Sequence, residues 1–174
     1  HDSDAPGADK ERLERDYYVE MAELVRRHSG ADAVYPMSHQ IRTEDRSDFN
    51  NAYARFVHCD YNLANLETMS LDTLQKHAVE PRPGWQYAWY NTWQPFDHQV
   101  EQNALAMCDA RSLAAGDIIN YRYTGYITEK NKEGGLVAAP VFNPAHRWYY
   151  YSAMQTNEVL LSKQLDKREG KASL

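Results

Sequence analysis

The stretch WQYAWYNTW, residues 85–93, decides the fold class. Its tryptophans, tyrosines and threonine favour an extended strand. Working outward in both directions, further short segments with strand-like composition are separated by turn-forming residues. The predicted strands are 33–35, 37–42, 54–58, 85–93, 118–126, 136–142, 148–152 and 159–165.

Two helices are expected beside these strands. Apolar residues recur at helical spacing up to a Ser29-Gly30 stop, which predicts a helix over 9–28. A second helix is predicted over 71–77, with Ser70 as its N-cap. A helix followed by many short strands is typical of a mainly β fold with flanking helices, either a sandwich or a barrel. Counting strands does not choose between them.

The length of 174 residues predicts a single domain. Residues 1–8 are expected to form a disordered lead, because they are rich in Asp, Gly and Pro, and residues 9–174 are expected to form the domain. The chain begins abruptly at His1 and stops at Leu174 inside an apparently ordered region. We therefore expect a truncated protein, or one with further residues that the sequence does not include.

Charge and composition exclude several classes of protein. The net charge of −6, with no basic cluster, argues against a nucleic-acid partner, and no apolar run reaches the ~20 residues of a membrane-spanning helix. Two cysteines, Cys59 and Cys108, fit no metal-ligand spacing and predict a reduced, cytoplasmic protein. The 13 tyrosines and 4 tryptophans suit a lined cavity or a contact surface as well as a core.

The segment FVHCDY, residues 56–61, carries the most reactive side chains. In a strand, side chains at i and i+2 face the same way, so His58 and Asp60 present an imidazole and a carboxylate side by side. Two histidines and one carboxylate on one face of Fe(II) leave its other positions free for O₂ and a cosubstrate. The alternative is a surface histidine hydrogen-bonded to a neighbouring aspartate, and the spacing leaves both open.

A third metal ligand has to come from a distant part of the chain. His146 follows the rigid Pro144 turn and opens an aromatic strand, a position that suits a ligand. The histidines expected to be solvated are His1, His28 and His77, whereas His39, His98 and His146 remain candidates.

Several short motifs follow one another in order and together cover nearly the whole chain. They are HQIR (39–42), VHCDY (57–61), YNTWQP (90–95), LAMCDARS (105–112), NPAHRWYY (143–150) and EVLLSK (158–163). This ordered set resembles the gibberellin-desaturase-like family of non-haem Fe(II), 2-oxoglutarate-dependent oxygenases, whose fungal and bacterial members act in secondary metabolism.

The resemblance implies that iron is held by His58, Asp60 and His146. It also implies a double-stranded β-helix, the cupin-like jelly roll that the strand count allows. The chain departs from the family at Gln94, where the family often has an arginine, so a charged contact to an anion is not expected from this position. The family also continues with a histidine-containing segment beyond the position of Leu174.

A 2-oxoglutarate site needs a cation for the distal carboxylate. Lys163 lies in an apolar predicted strand, where burying it is costly unless an anion pairs with it. Arg168 lies in a polar turn, where solvation is the simpler expectation. For Arg147 the alternative is a structural ion pair with Asp109. The candidates for cofactor binding are Lys163, Arg168, Asn91 and Arg147.

The aromatic strands supply candidates for substrate contact. Both faces of these strands carry aromatic rings, so one face is expected to join the core while the other lines a cavity. The candidates for substrate contact are Tyr61, Tyr90, Trp93 and Tyr150.

The resemblance implies an enzyme that uses Fe(II), 2-oxoglutarate and O₂. Its substrate would be a small natural-product or amino-acid-derived molecule that reacts by hydrogen abstraction, with hydroxylation, desaturation or cyclisation as the outcome. A homodimer is compatible with the sequence. Two alternatives are an iron-dependent oxidase that does not use 2-oxoglutarate and a non-catalytic jelly-roll binding module.

Overall fold

Six strands and two α-helices make up the described part of the chain, which in the computed structural model comprises residues 13–43, 47, 53–54, 56–114, 116–123 and 135–168. This is the mainly β architecture with flanking helices that the sequence predicts, whereas the predicted lead over 1–8 lies outside the described residues. The helices are α1 (Tyr18–Ser29) and α2 (Leu66–Lys76). The strands are β1 (Ala88–Trp93), β2 (Ala106–Cys108), β3 (Ile118–Tyr123), β4 (Gly135–Pro140), β5 (Trp148–Tyr150) and β6 (Leu160–Asp166).

Helix α1 confirms the predicted first helix and its stop, although it begins at Tyr18 and residues 9–12 of the prediction lie outside the described residues. One π-helical turn, Leu13–Tyr17, leads into it. Gly30 ends it with φ of +71°, a left-handed conformation that glycine adopts without strain, and its N–H donates to the carbonyl of Arg26. Met21 and Val25, one turn apart, form its buried stripe.

Helix α2 begins five residues before the predicted start, so the expected role of Ser70 as an N-cap is wrong. Asn62 performs the capping instead, because its side chain accepts from the N–H of Ala64 and starts a 3₁₀ turn that leads directly into α2. Ser70 therefore lies inside the helix, where its hydroxyl donates to the carbonyl of Leu66 at 2.7 Å.

The strands pair into three antiparallel ladders of two strands each, β1–β6, β2–β5 and β3–β4. Strands β3 to β6 confirm the four strands predicted after residue 117, each within a few residues at the ends or outside the described part. The β1–β6 ladder contains a bulge, because Trp89 pairs with Leu165 whereas Tyr90 pairs with Lys163. Gln164 is the extra residue.

The predicted strands over 33–35 and 37–42 are wrong, because residues 33–42 form no ladder. A strand needs a partner with free backbone groups alongside it, and alternation in the sequence does not supply one. Pro36 has no N–H to donate, and its carbonyl accepts a side-chain hydrogen bond from His77 Nε2 at 2.7 Å.

The predicted strand over 54–58 is also not formed by its described residues. Only the next residue, Cys59, pairs, through an isolated antiparallel bridge to Ala138 of β4. Strand β1 likewise begins three residues later than the predicted strand 85–93.

The two faces of β1 pack against different parts of the chain. Trp89 donates from Nε1 to the Ser70 hydroxyl of α2 at 2.9 Å, so the face that carries Trp89, Asn91 and Trp93 is turned towards α2. The opposite face carries Tyr90 and Thr92. Gln94, the residue after β1, continues this face and accepts from the hydroxyl of Tyr17 at 3.1 Å.

The buried hydrophobic residues are Met21, Val25, Cys59, Leu66, Leu74, Ala138, Met154 and Leu165.

Among the described helices, none combines the length and the apolar character needed to cross a membrane.

Candidate metal site

His58 and Asp60 lie side by side, as their spacing predicts. Cys59 between them is buried, and its N–H donates to the carbonyl of Ala138 at 2.7 Å. Because this bond fixes the extended backbone with Cys59 pointing inwards, the two flanking side chains emerge together on the other side. Nε2 of His58 is 3.1 Å from Oδ1 of Asp60.

This separation fits two neighbouring ligands of one metal ion. For bonds of about 2.1 Å at right angles, adjacent nitrogen and oxygen ligands are about 3.0 Å apart. Nδ1 of His58 is 3.0 Å from the carbonyl of Phe56, which makes Nδ1 the hydrogen-bond donor and leaves the lone pair of Nε2 for a metal. The two side chains contact each other directly in this structure, as the alternative of a paired histidine and aspartate predicts, and the same separation fits two positions of an iron ion.

Asn91 completes the surroundings of the carboxylate. Its Nδ2 donates to Oδ2 of Asp60, the oxygen that faces away from His58. Asn91 is a predicted cosubstrate contact, and in the structure its side chain lies against Asp60. The two residues are 31 positions apart, and only the fold brings them together.

The charge of Asp60 changes the ionisation of its neighbours. The hydrogen bond between the His58 ring and this carboxylate raises the pKa of His58 above the usual value, and partial burial of the imidazole opposes the rise. Burial, together with the charge of Asp60, raises the pKa of Tyr61 to about 12, so its hydroxyl stays neutral. The Tyr61 ring lies 5.1 Å from the ring of Trp89, measured between centroids, and so covers one side of this region.

His146 lies in a different set of contacts. Its side chain is 3% exposed, and Nε2 is 2.8 Å from Oδ2 of Asp117. Asp117 also accepts from the N–H of Ala114 and from the amide of Asn143. In the described part of the chain, no three side chains of His, Cys, Asp or Glu converge as a metal site. The structure thus brings together His58 and Asp60 but holds His146 on Asp117.

Sequence reasoning missed Asp117. An aspartate just before a predicted strand is a common turn residue, and nothing in the local pattern connects it to a histidine 29 positions later. The two other candidate histidines also have partners of their own. His39 Nδ1 is 2.7 Å from the hydroxyl of Tyr18, and His98 Nδ1 is 2.7 Å from the carbonyl of Gln99.

Lys163 and Arg168 share one counterion, Asp166. The side chain of Asp166 is fully buried and accepts two hydrogen bonds from the Arg168 guanidinium, at 2.9 and 2.7 Å. Lys163 Nζ is 3.4 Å from the same carboxylate. These cations, Arg168 foremost, lower the pKa of Asp166 to about 2, although its burial opposes the shift. Arg168 is therefore held in an ion pair, beyond the simple solvation expected for a polar turn.

The Asp166 cluster and the His58–Asp60 pair lie on opposite faces of the β1–β6 ladder. Asn91, which contacts Asp60, pairs with Ser162 in the register. The next residue, Lys163, pairs with Tyr90, and successive residues of a strand point to opposite faces. The candidate cation on β6 is consequently turned away from the candidate metal ligands.

Arg147 forms the structural ion pair with Asp109 that is the alternative to cofactor binding. Its Nη2 donates to Asp109 at 3.1 Å, and Arg111 donates to the same carboxylate through Nε and Nη2, both at 2.9 Å. The Arg111 guanidinium, with help from Arg147, holds the pKa of Asp109 well below its usual range. The ion pair predicted between Arg147 and Asp109 is confirmed.

The uncharged side chain of Gln94 forms hydrogen bonds to two separate parts of the chain. Its Oε1 accepts from the Tyr17 hydroxyl and its Nε2 donates to the carbonyl of Thr156, so it connects the turn before α1 to the turn before β6. An arginine has no acceptor and could not receive the bond from Tyr17.

The four candidate substrate residues do not share one face. Tyr90 pairs with Lys163 on one side of the β1–β6 ladder, whereas Trp93 pairs with Leu160 and points to the other side. Tyr61 packs on Trp89, and Tyr150 of β5 is 69% exposed.

Residues 2–174 match the family described as the oxidoreductase/YMDC permease-like domain. The chain belongs to this family. It is also 29% identical over 190 residues to the hydroxylase/desaturase efuI of Hormonema carpetanum, an alignment that covers 94% of this chain and 62% of the relative. The chain is 29% identical over 160 residues to the Fe(II)/2-oxoglutarate-dependent dioxygenase nvfI of Aspergillus novofumigatus. This alignment covers 91% of this chain and 56% of the relative.

Solved structures of an iron-dependent enzyme also match this chain. The chain matches the iron and alpha-ketoglutarate-dependent endoperoxidase NvfI with a TM-score of 0.72 and 26% identity, covering 92% of this chain and 58% of that one. A variant of the same enzyme gives a TM-score of 0.74 and 28% identity, with the same coverage. The chain thus spans less than two thirds of the length of these relatives.

Proposed function

We propose that this chain belongs to a non-haem Fe(II), 2-oxoglutarate-dependent oxygenase and contributes its iron-binding segment. The observation that carries the proposal is the 3.1 Å approach of His58 Nε2 to Asp60 Oδ1, which fits two adjacent iron ligands. Family membership and the names of the relatives support it, since these include an Fe(II)/2-oxoglutarate-dependent dioxygenase and an iron-dependent endoperoxidase.

The iron ligands in this proposal are His58, Asp60 and His146. The third ligand requires that the His146 ring leaves Asp117, because Asp117 holds its Nε2 and the described residues contain no assembled triad. Iron(II) bound at the site would supply the activation of O₂. The protein's part is to present the lone pair of His58 Nε2, hold the Asp60 carboxylate with Asn91, and keep Tyr61 neutral beside it.

A double-stranded β-helix of the cupin-like jelly-roll type is the fold we propose for the complete protein. Its support is the TM-score above 0.7 with solved oxygenases together with the antiparallel ladders of this chain. The substrate in this proposal is a small natural-product or amino-acid-derived molecule, contacted by some of the aromatic candidates Tyr61, Tyr90, Trp93 and Tyr150. A cytoplasmic location and a homodimer stay predictions.

An iron-dependent oxidase that does not use 2-oxoglutarate is the second candidate. The observation in its favour is that Lys163 and Arg168 are already neutralised by the buried Asp166, and Arg147 by Asp109. A distal carboxylate of 2-oxoglutarate would have to compete with these aspartates for any of the three cations.

Anaerobic titration separates the candidates. We expect the chain to bind one Fe(II), and subsequent addition of 2-oxoglutarate to produce a metal-to-ligand charge-transfer absorption. His58→Ala should abolish both, whereas His39→Ala, which removes an imidazole bonded only to Tyr18 in the described contacts, should abolish neither.

Iron binding without any spectral response to 2-oxoglutarate would favour the second candidate. Stoichiometric iron binding that survives in His58→Ala would refute the proposed site. Absence of iron binding by the unaltered chain would favour the non-catalytic binding module.

A further inference from the structure

The two oxygens of Asp60 have different partners. Oδ1 faces Nε2 of His58 at 3.1 Å, and Oδ2 accepts the amide hydrogen bond of Asn91. The Asp60 side chain is 45% exposed, so packing alone does not prevent the carboxylate from rotating about its bond to Cβ. The orientation of the carboxylate is therefore set by its two contacts, His58 at one oxygen and Asn91 at the other.

Asn91 is well placed to fix this orientation. It lies in the middle of β1 and pairs with Ser162 of β6, so antiparallel ladder bonds fix its backbone. Its side chain is on the face of β1 that is anchored to α2 by the bond from Trp89 to Ser70. A donor delivered from a paired strand is positioned more rigidly than one from a loop.

We propose that Asn91 is a positioning residue that holds Oδ2 of Asp60, so that Asp60 binds the metal through Oδ1 alone. This inference rests on the proposed function and goes beyond it. An amide that donates to Oδ2 makes this oxygen a weaker ligand than Oδ1, which favours binding through one oxygen and leaves one more position of the metal open to other ligands. Asn91 accordingly acts on the metal through Asp60.

Asn91→Leu tests the role, because leucine keeps the size of the side chain and removes its donor. We expect roughly 10- to 100-fold weaker binding of Co(II), the probe, and a changed Co(II) ligand-field spectrum. Asn91→Gln restores an amide donor and should recover part of the affinity. The matched control is Asn120→Leu on β3, whose amide oxygen accepts from Asn62 at 2.7 Å rather than holding a carboxylate. It should bind Co(II) within about twofold of the unaltered chain.

A metal-free measurement examines the contact itself. In two-dimensional ¹H–¹⁵N NMR spectra, the side-chain amide signal that is lost in Asn91→Leu should move in Asp60→Ala, because its acceptor has gone. A signal that does not move would overturn the inference without any reference to a metal. Circular dichroism of each variant establishes that the chain has folded.

The two hypotheses fail in different ways. If the unaltered chain and His58→Ala bind Co(II) equally, or neither binds it, the proposed iron site is wrong and the role of Asn91 falls with it. If His58→Ala loses Co(II) while Asn91→Leu keeps full affinity and an unchanged spectrum, the iron site stands and the role of Asn91 alone is wrong.

Discussion

Asp117 decides what His146 can do. The carboxylate accepts from the N–H of Ala114, from the amide of Asn143 and from the His146 ring, and its own backbone carbonyl accepts from the N–H of Val141. It thereby connects the turn before β3 to the turn that carries His146. The contacts of Asp117 stabilise the fold, and at the same time they occupy the ring nitrogen that a metal would use.

Asp117→Ala is expected to separate these two effects. Removal of the carboxylate leaves several donors unpaired around a buried histidine, so the midpoint of thermal unfolding should fall by several degrees in the metal-free chain. Co(II) affinity should be kept or improved, because His146 is no longer held. The measurements are thermal unfolding by circular dichroism and Co(II) titration.

The control is Asp72→Ala, which removes an exposed carboxylate of α2 and should alter neither quantity. Loss of Co(II) binding as complete as in His58→Ala would mean that Asp117 supports the metal site, contrary to this expectation.

At this scale, the sequence predicts contacts between residues that are close along the chain. The approach of His58 to Asp60 follows from their i, i+2 spacing in extended backbone. The pair of Arg147 with Asp109 depends on the ladder of β2 with β5, and β2 is not among the strands that the sequence predicts. The hydrogen bond from Asn91 to Asp60 could not be predicted, because it joins β1 to a segment 31 residues earlier through tertiary packing.

At the scale of elements, the β1–β6 ladder separates two sets of polar residues. One face carries Asn91 beside Asp60 and is turned towards α2. The other carries Lys163 and, beyond the bulge at Gln164, the end of β6 with Asp166. The sequence placed Lys163 on a strand correctly, but the facing of that strand depends on its register with β1, which local pattern does not specify.

The ion cluster at the end of β6 should make stability depend on pH in acid. The folded pKa of Asp166 is about 2, below its ordinary value of 3.8, so the cluster stabilises the fold fully above that ordinary value. The contribution is lost as the pH falls from about 4 towards 2, because the folded carboxylate then takes up a proton. Asp166→Asn should reduce the free energy of unfolding by about 1–2 kcal/mol at pH 7, with little difference from the unaltered chain near pH 2.

Urea unfolding at a series of pH values measures this difference. Glu67→Gln is the control, because Glu67 pairs with Lys167 at 3.0 Å while both side chains are more than half exposed. That pair should contribute at most about 0.5 kcal/mol. A stability difference for Asp166→Asn that is equally large at pH 2 and pH 7 would contradict the assignment.

At the scale of the whole molecule, the aromatic residues are less buried than the sequence suggests. Three of the four residues of 148–151 are tyrosines, and all four are exposed, with Tyr150 at 69%. Phe142, in the turn before them, is 92% exposed. The sequence predicts strand β5 but not the exposure of its side chains, because burial depends on what packs against both faces of the strand. Apolar surface of this kind marks a place of contact with another surface.

The exposed aromatic strand β5 predicts that copies of this chain associate. Within the described residues, β5 has a ladder partner along one edge only, namely β2, and its aromatic side chains are exposed. The other edge of such a strand is a template for pairing with another chain. In sedimentation velocity, we expect the weight-average sedimentation coefficient to rise with protein concentration. Tyr150→Lys should weaken this rise, since a charge on an exposed edge opposes pairing, whereas Val19→Lys on α1 should not. A single monomeric boundary at every concentration would contradict the prediction.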